Sequence, residues 1–342
     1  MAAQPSSTVN ISFNELKELL CCIFIKAGVY PETAELLADN CAKVERDGPE
    51  SHGIFRIAGY LSTLKSGWVN GLASPRIEDC GDSFIRVDAD NGFAQLCLFR
   101  ARDLLIKKVR QSGCAVLATR GSHHFSALWP DVEPFAEQGF IALTWVAGLP
   151  VVAAPGGKAP VFGTNPMAFA CPVAASAPLV FDFATSALSN GDTQIAAREG
   201  HLLKSGCGID NNGEATNNPN AILNGGALLP FGGHKGAALI LMVEILASAL
   251  TGGAFSHEVD FKGYAGAETP KTGQLLLVID PERGANHSFA NRVKQLLEII
   301  RASGENIRIA GDKRLEKRAR ANAQGIVIKQ VDFERLQQLY QA

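Results

Sequence analysis

Six strand-like runs, one alternating and the others mostly apolar, constrain the fold of this chain more than any other feature. FIRVDAD (84–90), CAVLAT (114–119), GFIALTWVA (139–147), VFGTNPMAFAC (161–171), LVFDFA (179–184) and QLLLVID (274–280) are bounded by Gly- and Pro-rich turns. Helical periodicity fills the chain ends and the gaps. Ser12 and Glu15 form a capping-box pattern ahead of Leu16, Leu19, Leu20 and Ile23, which predicts a helix over about 13–26. Pro31 opens a second helix that Gly48 and Pro49 interrupt, and further helices are expected at about 92–112, 235–251, 288–303, 312–322 and 332–341. The simplest arrangement is mixed α and β, with a helical portion from both ends wrapped around a central sheet.

At 342 residues, 46% hydrophobic and 19% charged, the chain has ample apolar surface for one large or two moderate domains. Its 32 Lys and Arg nearly balance 34 Asp and Glu, so no overall field draws it to nucleic acid or to a membrane surface. The eight cysteines (21, 22, 41, 80, 97, 114, 171, 207) form no CxxC pair and sit mostly among apolar neighbours, which suits buried thiols in a reducing compartment and points to the cytoplasm. MAAQPSSTVN has no basic region followed by an apolar run, and no apolar stretch reaches the roughly 18 residues of a spanning helix. Secretion and membrane insertion are not expected.

RDGPESHGIFR (46–56) sets His52 between Ser51 and Gly53, four positions before Arg56. Such a group suits a proton donor beside an anion clamp. It also suits an ordinary helix start, with Ser51 as cap and Ile54, Ile57, Tyr60, Leu61 and Leu64 as the apolar face. GSHHFSALW (121–129) follows a strand ending near Arg120 and leads into a helix, so its N–H groups can receive a phosphate or carboxylate, or His123 and His124 simply pack a turn.

GTNP (163–166) and FDFATSALSNGD (181–192) put Thr164, Asp182, Thr185, Ser186 and Asp192 at strand ends, where polar groups line sites or make turns. A buried Asp among them can orient an imidazole. LLPFGGHKGAALILMVEIL (228–246) carries His234 and Lys235 on a glycine-rich turn, and RIAGDKRLEKRAR (308–320) is basic; each fits either a ligand's charge or a solvated surface. No Cys/His cluster stands at zinc spacing, so no metal is expected. No G-x-G-x-x-G follows a strand and no G-x-x-x-x-G-K-[ST] occurs, so neither the usual dinucleotide fingerprint nor a phosphate loop is available.

Taken in order, SHGxxR, SHHF, GTNP, FDxATS and PFGGHKG resemble the malate/L-lactate dehydrogenase-like oxidoreductases from about residue 10 to the C-terminus. Within that family SHHFSALWPDVEPFAEQG (122–139) is similar to the Δ1-piperideine-2-carboxylate/Δ1-pyrroline-2-carboxylate reductases. Trp129 and Pro130 carry the distinction, since malate and lactate members typically have a glycine-rich, tyrosine-containing sequence after the HF pair.

The resemblance implies an α/β (α+β) nicotinamide-binding fold that is not Rossmann, with a central mixed, largely antiparallel sheet. Residues 1–75 with C-terminal helices from about 305–342 would form a helical domain carrying the catalytic His, and 76–304 a sheet-containing domain for NADP and substrate. Ser51, His52 and Asp192 match the family's hydrogen-bonded catalytic group, with His52 moving the proton, Asp192 orienting it and Ser51 extending the relay.

Arg56 would grip the substrate carboxylate, with Thr164, Asn190 and Gly191 as further substrate contacts. His124, Phe125, Ser126, Ala127, Leu128, Asp182, Phe183, Ala184, Arg308, Gly311, Lys313 and Arg314 match cofactor positions, and Lys235 is a further candidate. Several cations near one nucleotide suit the 2′-phosphate of NADPH over NADH. Ala147 departs from the Asn that many relatives carry.

The implied reaction is NADPH-dependent reduction of cyclic imino acids, Δ1-piperideine-2-carboxylate to L-pipecolate and Δ1-pyrroline-2-carboxylate to L-proline, by a cytoplasmic homodimer. Two alternatives stand beside it. One is NAD-dependent oxidation of a 2-hydroxy acid such as malate, lactate or ureidoglycolate; the other is a non-catalytic ligand-binding relative.

Overall fold

A seven-stranded sheet forms the centre, in the order Arg76–Asp79, Phe84–Asp88, Cys114–His123, Lys271–Ile279, Ile141–Val146, Met167–Cys171, Leu179–Phe183. The computed structural model describes residues 7–341, so MAAQPS, the first part of the N-terminal stretch read above, lies outside the described residues. Every neighbouring pair is antiparallel except Phe84–Asp88 with Cys114–His123. Lys271–Ile279 comes from late in the chain and inserts between two earlier strands, which is why its run, QLLLVI, is almost continuously buried.

One face of the sheet packs on the helices Ala94–Ser112 and Trp129–Ala136 through Leu117, Ala142, Ala170, Val180, Leu276 and Val278. The other face meets the end of the helix His234–Glu244 and the π-helical turn Ile245–Ala249 through Ala118, Trp145, Leu275 and Ala247. Burial of such side chains contributes about 1.5–3 kcal/mol each.

The two chain ends meet. Thr8–Ile11 pairs antiparallel with Ile326–Lys329. Helices Phe13–Lys26, Pro31–Asp47 and Gln330–Gln341 bury Leu16, Leu20, Phe24, Leu37, Cys41 and Leu336 together with Tyr60. The expected capping box is formed: Glu15 N donates to Ser12 Oγ (3.2 Å) and Ser12 N to Glu15 Oε2 (3.0 Å). A smaller five-stranded sheet, with Val152–Ala153 and Ala227–Leu228 side by side, stands near the mouth of the site described below.

Several expectations are corrected. The strand expected to end near Arg120 continues to His123, because Ser122 and His123 pair with Thr272 and Lys271. The run expected as one helix over 235–251 turns π-helical at Ile245. SALSNGD looked like turn chemistry, yet Ser189 caps a helix over Asn190–Glu199 by accepting from Asp192 N. The cysteines are free, but only Cys41, Cys97, Cys171 and Cys207 are buried; Cys22, Cys80 and Cys114 are exposed and Cys21 is half-buried. Among the described residues no helix is long and apolar enough to cross a membrane.

Candidate active site

The helix Pro31–Asp47 stops at Gly48, and the chain then makes two separate 3-10 turns, Glu50–His52 and Ile54–Arg56, before a helix begins at Ile57. Ser51 is therefore not the helix cap that its position suggests. Its hydroxyl lies 2.9 Å from His52 Nδ1. The break falls at Gly53, whose Cα rests on the preceding helix; a Cβ there would strike Glu45 Oε2 and lie 3.0 Å from the Glu45 backbone.

His52 and Arg56 face one small cavity of about 80 Å³. Its polar lining comes from His124, Ser126, Thr164 and Asn190, and its apolar walls from Phe125, Val146, Ala147, Leu149, Val151, Pro166 and Pro270. A larger cavity of about 410 Å³ lies behind the catalytic turns, among Glu45, Phe55, Ile195 and Ile328, and contains neither His52 nor Arg56. Size does not identify the site; the convergence of ionisable groups does.

Arg56 is buried and has no carboxylate partner among the described residues. Its Nη1 donates to Gln194 Oε1 at 3.3 Å, its Cζ lies 4.5 Å from the centre of the Phe125 ring, and its Nε has no hydrogen-bond partner among the described residues. Burial pulls its pKa down to about 10, opposed by the neighbouring Tyr60, Glu268 and Asp192. A desolvated guanidinium with donors to spare is a receptor for an anion. For His52, burial first and then the neighbouring Arg56 and His124 push the pKa down to about 3, although an edge open to the cavity works against that displacement. The imidazole is neutral near pH 7.

Asp192 forms no hydrogen bond with His52 among the described residues; its charge acts on Arg56 instead. Gly191 explains how closely its helix approaches. A Cβ at Gly191 would lie 2.5 Å from Arg56 Nη2 and 3.0 Å from both Ser51 Cβ and Ser51 O.

The segment after the HH pair is held from two sides. His124 Nε2 lies 3.0 Å from Asp131 Oδ2, to which Gln274 Nε2 also donates at 2.7 Å. Asp182 does not orient an imidazole: Oδ2 accepts from Leu128 N (2.6 Å) and Trp129 N (3.0 Å), which tethers the start of the helix Trp129–Ala136. Burial pushes Asp182 up to about 6, against those two N–H donors. Ser126 Oγ donates to His52 O at 3.0 Å, so the segment also braces the catalytic turn. His123, by contrast, is a packing histidine, bonded to Thr269 and Asn91 and held down to about 3 mainly by burial.

Thr164 is placed on the cavity by its neighbours. Thr185 donates to the Thr164 carbonyl through N (2.9 Å) and Oγ1 (3.0 Å), while Asn165 bridges Gly148 N and the buried Glu244. The basic C-terminal segment meets the same edge of the sheet: Arg314 donates to Val180 O at 2.7 Å and stacks on Trp129, and Gly311 takes φ +94 with its Cα against Val180 O. Phe183 is exposed and stacked on Phe181, with Ala184 beside it. Arg308 and Lys313 are exposed. Lys235 is exposed at the start of its helix and does not line the cavity.

Trp129, singled out by resemblance, is a core residue between the cations of Arg314 and Arg318 rather than a pocket wall. Sequence reasoning missed Glu45, Asp131, Gln194 and Gln274. Asp131, seven positions after His124 in the same motif, was the only one with a nearby signal. Among the described residues no group of three or more His, Cys, Asp or Glu side chains could hold a metal ion.

His52, backed by Ser51, and Arg56, without a carboxylate partner among the described residues, face one small cavity, with a tethered helix start alongside and no Rossmann sheet; this arrangement fits an oxidoreductase site outside the usual dinucleotide fold. Known proteins agree. The family described as Malate/L-lactate dehydrogenase matches residues 11–337, and the chain belongs to that family, whose dehydrogenases and reductases use nicotinamide cofactors.

It is 58% identical to a Delta(1)-pyrroline-2-carboxylate/Delta(1)-piperideine-2-carboxylate reductase of Pseudomonas syringae pv. tomato over 99% of this chain and 98% of that protein. It is 51% identical to a reductase of the same name from Pseudomonas putida, over 99% of each. The crystal structure of delta1-piperideine-2-carboxylate reductase from Pseudomonas syringae superposes with a TM-score of 0.94 at 57% identity, covering 97% of this chain and 99% of that one. Malate dehydrogenase from Entamoeba histolytica shares the architecture at TM-score 0.91 and 25% identity, covering 98% of this chain and 99% of that one.

Proposed function

We propose that the chain is an NADPH-dependent reductase of cyclic imino acids, converting Δ1-piperideine-2-carboxylate to pipecolate and Δ1-pyrroline-2-carboxylate to proline. The observation that carries this reading is Arg56, a buried guanidinium that has no carboxylate partner among the described residues and stands on the wall of the cavity that His52 also lines. The high identity to reductases of that name supports it.

The substrate carboxylate takes the free donors of Arg56, and Thr164 and Asn190 give further polar contacts. The ring methylenes lie against Val146, Leu149, Val151, Pro166 and Pro270. When bound, a reduced nicotinamide supplies hydride to the imine carbon. His52 delivers the proton to the ring nitrogen, and the Ser51 hydroxyl on its Nδ1 extends the relay. Carboxylate binding cancels the charge of Arg56, one of the causes that keep protons off His52, so the substrate itself raises the proton affinity of its donor. Asp192, next to Gly191, biases the same field.

The residues present fit a dinucleotide. Within the described residues the backbone N–H groups of Ser126 and Ala127 make no hydrogen bond, and they stand just before the N-terminus of the helix Trp129–Ala136. His124, Phe125 and Leu128, with Asp182, Phe183 and Ala184, continue that surface toward Gly311 and Arg314. Arg308 and Lys313, exposed on the same segment, suit the extra phosphate that distinguishes NADPH from NADH; Lys235 is a weaker contributor. A homodimer and a cytoplasmic setting complete the reading.

The test is a parallel assay of Δ1-pyrroline-2-carboxylate with NADPH and with NADH, against malate and lactate with NAD. Turnover of the imine with NADPH is expected. Turnover confined to the hydroxy acids would reject the proposal.

A further inference from the structure

The two turns that carry His52 and Arg56 are joined only by Gly53, and both sides of that glycine are held. On one side the His52 carbonyl accepts from Ser126 Oγ at 3.0 Å. On the other the Ile54 N–H donates to Glu45 Oε2 at 2.9 Å. Glu45 stands on a firm base. Its helix is anchored by the buried neighbours Val44 and Cys41 and, two residues on, by Asp47, which pairs with Arg46 (2.6 Å) and Arg318 (2.7 Å). Gly53 packs on Glu45 so closely that no Cβ would fit between them.

We propose that Glu45 is a positioning residue: by accepting the Ile54 N–H it fixes the break at Gly53, and so sets the spacing between the proton donor His52 and the carboxylate clamp Arg56. Glu45 does not line the substrate cavity. Its carboxylate lies on the reverse side of the turns, on the wall of the larger cavity. The inference rests on the roles given to His52 and Arg56 above.

Burial pushes the Glu45 carboxyl up to about 7, opposed by the Ile54 N–H and Lys317 and assisted by Glu50 and Asp332. Its oxygen accepts the bond in either protonation state, so glutamine is a fair replacement for that function. Alanine is not. Loss of the acceptor frees the second turn, and misplacement of a reacting group by about 1 Å costs on the order of a hundredfold in rate.

The experiment compares Glu45→Ala, Glu45→Gln and His52→Ala in steady-state kinetics with Δ1-pyrroline-2-carboxylate and NADPH, with thermal midpoints recorded alongside. Glu45→Ala is expected to lower kcat/KM for the imine by about 10–100-fold through both kcat and KM, with KM for NADPH within about twofold of wild type, because the cofactor segment is joined to the first turn, through Ser126 Oγ on His52 O, and not to the second turn that Glu45 holds. Glu45→Gln should stay within about threefold of wild type. Glu45→Ala with unchanged kcat/KM overturns the proposal, as does Glu45→Gln as impaired as Glu45→Ala. His52→Ala at full activity would instead overturn the proton-donor reading beneath it. Should Glu45→Ala not fold, Gly53→Ala presses a methyl onto the same carboxylate; it should show the same selective loss, and unchanged kcat/KM overturns the inference.

Discussion

The guanidinium of Arg56 lies 4.5 Å over the ring of Phe125, with its Nε unpartnered and one Nη on Gln194. The ring contact and the Gln194 bond restrain the guanidinium before any ligand arrives. Arg56→Ala is expected to lower kcat/KM for the cyclic imine by about 10²–10³-fold, roughly 3–4 kcal/mol. Arg56→Lys keeps the charge but loses the fork and the stack, and should still cost about tenfold or more. Steady-state kinetics with Δ1-pyrroline-2-carboxylate check both.

Gly191 is the point where the helix Asn190–Glu199 touches the catalytic turns. A methyl there would stand 2.5 Å from Arg56 Nη2. Gly191→Ala should raise KM for the imine well above tenfold while leaving KM for NADPH nearly unchanged, with an overpacking cost of about 1–3 kcal/mol. An unaltered KM for the imine would show that Arg56 can move aside without loss.

Asp182 acts on the cofactor through the backbone it holds. Its Oδ2 takes both Leu128 N and Trp129 N. Asp182→Ala strands two donors at a helix start and should lower stability by about 1–3 kcal/mol and weaken NADPH binding, whereas Asp182→Asn keeps an acceptor and should lose less of each. Thermal melts with and without NADPH separate the two effects.

His123 makes acid stability testable. Burial holds it down to about 3 from an ordinary value of 6.5, as it also holds His52. Between those values the unfolded chain binds protons that the folded one refuses, so stability falls as pH drops from 6.5 toward 3. Glu45 and Asp182, raised to about 7 and about 6, work in the opposite direction. Comparison of His123→Gln with wild type at matched pH cancels their contribution. The variant's thermal midpoint should decline less steeply below pH 6.5; equal slopes would show that His123 titrates normally when folded.

Much of the fold was legible because its signals are local. The Ser12–Glu15 box announced the helix Phe13–Lys26, and the run QLLLVID announced a strand. The candidate site was legible only as separate motifs. SHGIFR looked like a helix start because Ser51 is a good cap, and nothing nearby in sequence shows that Gly53 must press against Glu45. Trp129 marked the subgroup without lining the pocket, since its surroundings are Arg314 and Arg318, far along the chain.

Residue order alone determined the helices, the strands and the polar groups at their ends, because periodicity, caps and turn residues act over a few positions. The tertiary structure alone decided what each charge does. It gave Asp182 to two backbone N–H groups, Asp131 to His124 and no carboxylate to Arg56. The cost of burying a charge depends on the partners that packing delivers, and those partners come from distant segments of the chain.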